Sequence, residues 1–181
     1  MQNIITSFKE SMENFKKVRV LAAAAMLVAL TVILSFLVIY FGPSTKVSFA
    51  FVPMAAGSML FGPVVGGVVG ALSDIIGYII KPVGPYMPFF TITCALTGLV
   101  YGVFLFNKEA TLKRIIIAQL IVTVFLNLFL DTYWLTLLYG DAFMALLPLR
   151  ALKAVLFFPV QVFLMYVMAK YMPTFKKRFH Y

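Results

Sequence analysis

Cysteine and histidine each occur once in this 181-residue chain. Cys94 lies inside an apolar run, so neither an intrachain disulfide nor a thiolate metal cluster can form. His180 sits one residue from the C-terminus among basic residues and reads as part of a tail, since a metal site needs several converging ligands. The same scarcity excludes a Ser-His-Asp or Cys-His catalytic set. Acidic residues number only six. No Gly-x-x-x-x-Gly-Lys-Ser/Thr segment is present, so ATP hydrolysis by a phosphate-binding loop is excluded. No enzyme, metal or organic cofactor is expected. Charged residues make up 12% of the chain and hydrophobic ones 63%. A soluble domain of this size cannot hide so much apolar surface, because much of any folded surface must face water. Lipid removes that conflict, and the chain is expected to be an all-α integral membrane protein.

The apolar residues fall into long runs. A spanning helix needs about 20 of them, with a range of about 17–25. Six spans are expected in a single transmembrane domain covering 1–181, at about 18–41, 47–60, 63–80, 87–106, 114–138 and 143–172. The division between the second and third rests on Phe61-Gly62-Pro63, because Gly-Pro stops a helix. The first run is longer than a signal-peptide core of about 7–15 residues. Its small residues, Ala22–Ala25, stand at the start rather than at a cleavage site, so it reads as a retained helix.

Basic residues orient the bundle. Lys9, Lys16, Lys17 and Arg19 precede the first span. Lys108, Lys113 and Arg114 separate the fourth and fifth, and Lys170, Lys176, Lys177 and Arg178 end or follow the sixth. Six spans place all of these on one side, 11 of the 15 basic residues. By the positive-inside rule that side is cytoplasmic, with both termini on it. Clusters that flank spans argue against a nucleic-acid surface.

Small residues recur at helix spacing. Gly62, Gly66 and Gly70 form one ridge, Gly98 and Gly102 another, and such ridges let helices approach closely in lipid. Gly66-Gly67-Val68-Val69-Gly70 is no nucleotide loop, having no preceding strand and no Lys-Ser/Thr. Ala25 and Ala29 form a small-x-x-x-small pair that suits either packing inside the bundle or docking of another membrane subunit.

Polar residues inside the spans are the candidate site. Gln119, Thr123, Asn127, Asp131 and Trp134 are spaced to share one helix face, and an intramembrane ionisable group such as Asp131 is a functional candidate. Arg150, Lys153, Phe157 and Gln161 share a face of the last helix. Arg150 and Lys153 lie about a turn apart and can grip one anionic group together, the Arg through two parallel hydrogen bonds. The alternatives are snorkelling to headgroups and pairing with Asp131 or Asp141. Asp74, Tyr78 and Lys81 share a face of the third span, and the Pro- and Gly-rich loop 82–88, with Tyr86, is placed to line an outer pocket. A cationic end, carboxylates and aromatic walls suit a ligand with a flat heteroaromatic part and an acidic tail.

Four segments carry a resemblance: Phe49-Ala50-Phe51-Val52-Pro53-Met54-Ala55-Ala56-Gly57 with Leu60-Phe61-Gly62-Pro63; Gly70-Ala71-Leu72-Ser73-Asp74-Ile75-Ile76-Gly77 with Gly84-Pro85-Tyr86; 127–140, Asn127 to Gly140; and Leu147-Pro148-Leu149-Arg150-Ala151-Leu152-Lys153. Over residues 18–172 the chain resembles the S components, the substrate-binding membrane subunits of energy-coupling factor (ECF) vitamin transporters, most of all the folate-specific type. Asp131 stands where that resemblance leads one to expect Asn. The resemblance implies a subunit of the bacterial plasma membrane that binds a folate-type molecule with high affinity on its outer side. It also implies a membrane T component and two ATPase subunits as partners, with Ala25 and Ala29 contacting the T component. On that reading Arg150, Lys153, Asn127, Asp131, Trp134, Asp74 and Tyr86 hold the vitamin. Other readings are an S component for pantothenate or a queuosine precursor, a stand-alone ion-coupled transporter with Asp74 or Asp131 as proton carrier, and a structural membrane protein.

Overall fold

The computed structural model describes residues 4–40, 46–82, 84–108, 111–140 and 143–179; Val83, Asp141 and His180 fall outside them. The chain is mainly helical. Helix α1 (Ile4–Phe15) precedes α2 (Val18–Phe36), and α3 (Phe51–Phe61), α4 (Pro63–Ile80), α5 (Pro88–Leu105) and α6 (Leu112–Ile121) follow. Helix α6 runs through a π-helical stretch, Val122–Leu130, into α7 (Asp131–Tyr139), and α8 (Phe143–Phe179) closes the chain.

Among the described residues the regular structure is helical, as expected, except for a short hairpin between α2 and α3. There β1 (Val38–Tyr40) and β2 (Lys46–Ser48) pair antiparallel, with Val38 opposite Ser48 and Tyr40 opposite Lys46. Val38, Ile39, Tyr40 and Val47 are β-branched or aromatic, residue types that fit a pleated ribbon, and Gly42-Pro43 between the strands disfavours helix. The first helix therefore ends at Phe36 rather than at position 41, and the next begins at Phe51 rather than at 47. The Ser48 hydroxyl fastens the hairpin, donating to the Leu34 carbonyl at 3.0 Å and accepting from the Ala50 amide at 3.2 Å.

Among the described residues, five segments are long and apolar enough to cross a bilayer: Val18–Phe36, Pro63–Ile80, Pro88–Leu105, Leu112–Leu137 and Arg150–Met172. The chain is a multi-pass membrane protein. The span expected over 47–60 is represented by α3, whose 11 residues reach about 16 Å at 1.5 Å per residue. That falls short of a hydrocarbon core about 30 Å thick. Instead α3 is an interior helix, with Met54, Ala55, Ala56, Ser58, Met59 and Phe61 all buried.

Turn chemistry sets the helix boundaries. Gly62 stands between α3 and α4 at φ +100°, a conformation that costs glycine little. Pro63 and Pro88 open α4 and α5, where a missing amide hydrogen leaves no bond unmade. Two apolar cores meet on α3. One joins α2 and α4 through Val20, Ala24, Val28, Val32, Phe61, Val65 and Val69. The other joins α3, α5, α6 and α8 through Ala55, Met59, Tyr101, Ile115, Ala118, Met165 and Ala169.

The glycine ridges close the α4–α5 interface. A Cβ at Gly98 would collide with the Gly66 carbonyl, one at Gly102 with the Pro63 backbone, and one at Gly70 with the Cys94 carbonyl. Buried Ser58 joins α3 to this contact by donating to the Met54 and Gly98 carbonyls, both at 2.9 Å. Gly98→Ala should therefore lower the melting temperature of the detergent-solubilised protein. The overpacking cost of about 1–3 kcal/mol exceeds the helix-propensity gain of about 1 kcal/mol. Among the described residues a Cβ at Gly77 would meet only the Ser35 hydroxyl, at 3.9 Å, so Gly77→Ala should leave the melting temperature unchanged or raise it. Thermal unfolding of the two variants side by side checks the contrast.

Candidate functional site

Helices α4 and α7 end, and α5 and α8 begin, at a common end of the bundle. The polar side chains gather toward that end. Asp74 of α4 accepts a hydrogen bond from the Thr91 hydroxyl of α5 at 2.6 Å, and the Cys94 thiol lies 3.8 Å from its other oxygen. Thr91 also bonds Tyr86 at 2.8 Å. Tyr86 packs its ring against Tyr78, centroids 5.0 Å apart, while the Tyr78 hydroxyl donates to the Gly84 carbonyl at 2.9 Å. Gly84 and Tyr86 are thus tied to α4 and α5.

Asp131, the first residue of α7, lies within electrostatic range of Cys94 and of Arg150. Arg150 donates to the hydroxyl of fully buried Thr132 at 3.3 Å. Asp74 on α4, Cys94 on α5, Asp131 on α7 and Arg150 on α8 thus gather toward the same end of the bundle. Lys153 lies one turn farther along α8, half-buried.

Aromatic rings form the apolar part. Trp134 stacks on Phe89 with centroids 4.3 Å apart and planes 14° from parallel, and Tyr133 meets it edge-on at 5.1 Å. The Trp134 indole N–H is buried and meets no acceptor among the described residues. A buried donor without an acceptor costs about 1–3 kcal/mol, and such a group in a native structure calls for an explanation.

The expected five-residue polar face is divided. Gln119 and Thr123 are buried, Asn127 is exposed, and Asp131 and Trp134 are half-buried. The reason is the π-helical stretch Val122–Leu130: its i→i+5 turns are wider, so four residues no longer complete a turn. Gln119 and Thr123 serve a second network deeper in the bundle. Tyr101, fully buried, donates to Gln119 at 2.9 Å, and the Gln119 amide donates to Gln161 at 2.8 Å and Thr123 at 3.2 Å. Gln161 of the α8 stripe thus belongs to this inner network rather than to the group at the bundle end.

Sequence reasoning passed over Phe89, Thr91 and Thr132. Each is an ordinary apolar or hydroxyl residue, and only the pairing of helices distant in sequence gives it a role. A separate groove of about 350 Å³ between α6 and α8 is lined by Leu112, Ile116, Phe158, Pro159, Val162, Phe163 and Tyr166. It lacks the convergent polar groups that orient a ligand and is not the site.

Comparison with known proteins shows the family of the chain. The family described as the substrate-specific component of ECF transporters matches residues 19–169. The chain belongs to that family. It is similar to the folate transporter FolT of Clostridium novyi (strain NT), 36% identical over 151 residues, which are 83% of this chain and 88% of the relative. It is also similar to the folate transporter FolT of Leuconostoc mesenteroides subsp. mesenteroides, 33% identical over 149 residues, 78% of this chain and 80% of the relative. The crystal structure of FolT bound with folic acid superposes with a TM-score of 0.79 at 37% identity, over 87% of this chain and 95% of that one. As a substrate-specific component, the chain is part of a transporter.

The inner network should prove structural. Gln119→Leu leaves the Tyr101 hydroxyl and the Gln161 carbonyl without their partner. Interhelical hydrogen bonds in membranes are worth about 0.6 kcal/mol on average and up to about 1.7 kcal/mol. A melting temperature lowered by a few degrees, with affinity for the transported ligand kept within about twofold (~0.4 kcal/mol), is the expected result of thermal unfolding and equilibrium binding measured together.

Proposed function

We propose that this chain binds folate on the outer side of the bacterial plasma membrane and passes it inward as the S component of an ECF transporter. A membrane T component and two ATPase subunits supply the energy. The chain is one transmembrane domain of six membrane segments, α3 being the short one, with both termini in the cytoplasm. Arg150, Lys153, Asn127, Asp131, Trp134, Asp74 and Tyr86 form the folate site. The observation that carries this reading is the meeting of Arg150, the Phe89–Trp134 stack and the unpaired indole N–H at one end of the bundle. Its likeness to FolT bound with folic acid supports the choice of ligand. Folate has a flat heteroaromatic ring rich in acceptors and a glutamate tail with two carboxylates. The aromatic stack and indole donor match the first, and Arg150 and Lys153 match the second.

Truncating one partner of a buried, hydrogen-bonded charge pair costs about 2–5 kcal/mol, and about 1.4 kcal/mol is tenfold in affinity. Arg150→Ala should thus weaken folate binding on the order of tens to thousands of fold, with Arg150→Lys restoring only part because the fork of donors is lost. The loss should shrink for a pterin without the glutamate. Trp134→Phe should weaken folate several-fold, the worth of about one hydrogen bond, while leaving the melting temperature of the ligand-free protein unchanged or raised. Isothermal titration of these variants is the test; unchanged folate affinity in a well-folded Arg150→Ala protein would assign Arg150 to the structural bond with Thr132.

Ala25 and Ala29 form the T-component contact. The inward face of α2 is Val20, Ala24, Val28, Thr31 and Val32, whereas Ala25 and Ala29 are exposed, so bundle packing does not account for them. Replacing both by Trp should abolish folate uptake by cells carrying the whole complex and leave folate binding by the isolated subunit intact. Equal loss of uptake and binding in paired assays would remove the assignment.

A further inference from the structure

Helix α1 lies at the end of the bundle opposite the candidate site. Its inner face is small and polar: Ser7 and Ser11 are buried. The Ser11 hydroxyl accepts from the Val64 amide at 3.0 Å and the Val65 amide at 3.3 Å. It thereby supplies the N-terminal cap that Gly62, having no side chain, cannot give α4. Glu10, one residue earlier, accepts from the Asn107 side chain at 2.6 Å. A helix remote in sequence therefore ties together the α3–α4 corner and the α5–α6 connection.

The outer face of α1 is divided in a way the inner contacts do not require. At 3.6 residues per turn, Ile4, Met12 and Ile5 fall within an arc of about 100°, beside the inner face. Lys16, just past the last turn, and Lys9 fall within about 40° beyond Ile5. Ile4 is 56% exposed, Ile5 81% and Met12 58%, and both lysines are exposed. The apolar arc leads into the outward apolar residues that open α2, Val18, Leu21 and Met26, also exposed, on a segment apolar enough to span the membrane.

We propose that α1 is an interfacial helix seated on the bilayer. Ile4, Ile5 and Met12 enter the acyl boundary, and Lys9 and Lys16 bind the phosphates of anionic phospholipid headgroups. Ser11 and Glu10 fasten this lipid-seated helix to the two corners above it. Two features favour lipid as the occupant. The helix that follows, α2, opens with exposed apolar residues and is apolar enough to span the membrane, and the exposed Lys9 and Lys16 flank the apolar arc of α1. An amphipathic helix with Lys beside its apolar face lies in the plane of the interface in this way, its apolar face about 5–10 Å into the headgroup boundary. The inference is independent of the folate reading.

The test uses the full chain in lipid nanodiscs, in a Cys94→Ser background. A fluorophore is attached at Met12→Cys or, one sector away, at Glu13→Cys. The Met12 position should be quenched by phospholipid bearing a spin label high on its acyl chain and be shielded from aqueous iodide; the Glu13 position should show the reverse. Exchanging phosphatidylcholine for phosphatidylglycerol should increase lipid quenching at Met12, by about twofold in quenching constant, and Lys9→Gln with Lys16→Gln should remove that increase. Iodide access at Met12 would overturn the proposal. So would protection from both quenchers, the signature of a second copy covering the face. A parent protein indifferent to headgroup charge would overturn the role of the lysines.

Discussion

The close approach of α4 and α5 governs the rest of the structure. Gly66, Gly70, Gly98 and Gly102 remove the side chains that would otherwise hold the two backbones apart. In lipid there is no hydrophobic force between helices, and association rests on such packing and on interhelical hydrogen bonds. Both are present here: the glycine contacts lie beside the Ser58 bond to the Gly98 carbonyl. The consequence reaches the candidate site. Asp74 on α4 meets Thr91 and Cys94 on α5 only because the two helices run in contact. A wider spacing would leave a carboxylate in the membrane without donors, a costly state.

The polar groups divide by depth. The inner network of Tyr101, Gln119, Thr123 and Gln161 consists of neutral groups that satisfy one another. The group at the bundle end holds the carboxylates, the guanidinium and a buried indole that meets no acceptor among the described residues. Charge is kept at the end of the bundle, and neutral amides and hydroxyls serve in the buried interior. The inner network fixes α5, α6 and α8 relative to one another, and so holds Arg150 of α8 in place without placing a charge at mid-membrane.

Much of this was legible in the sequence for a physical reason. Apolar runs, Gly-Pro at 62–63 and Pro88 act through local backbone chemistry, so α4 and α5 start where they are expected. Gly98 and Gly102 signal close packing wherever the partner lies. Arg150 and Asp131 stood out because charge inside a span is costly without a purpose. What was not legible depends on partners far along the chain. Ser11 is an ordinary serine until the fold brings it to the start of α4, 53 residues on. Thr91 becomes a donor to Asp74 only across the α4–α5 interface. The β1–β2 hairpin was hidden because Val38, Ile39 and Tyr40 are as apolar as the helix they follow. Hydropathy does not separate strand from helix in so short a run.

The π-helical stretch Val122–Leu130 explains why the polar stripe of Gln119, Thr123, Asn127, Asp131 and Trp134 does not keep one face. An unbroken α-helix would carry Gln119, Thr123, Asn127 and Asp131 along a single stripe. All four would then compete for one face, and the demands of that face conflict: Gln119 and Thr123 bond toward α5 and α8 in the buried interior, whereas Trp134 stacks on Phe89 and Asp131 lies toward the candidate site. Wider turns between them shift the phase of α7 relative to α6, so each pair can meet its own partners. Asn127 is left exposed within the transition. π-Helical turns cost hydrogen-bond quality and recur at functional sites. Here the physical reason is visible, since one continuous span must present two polar surfaces of different direction at two depths.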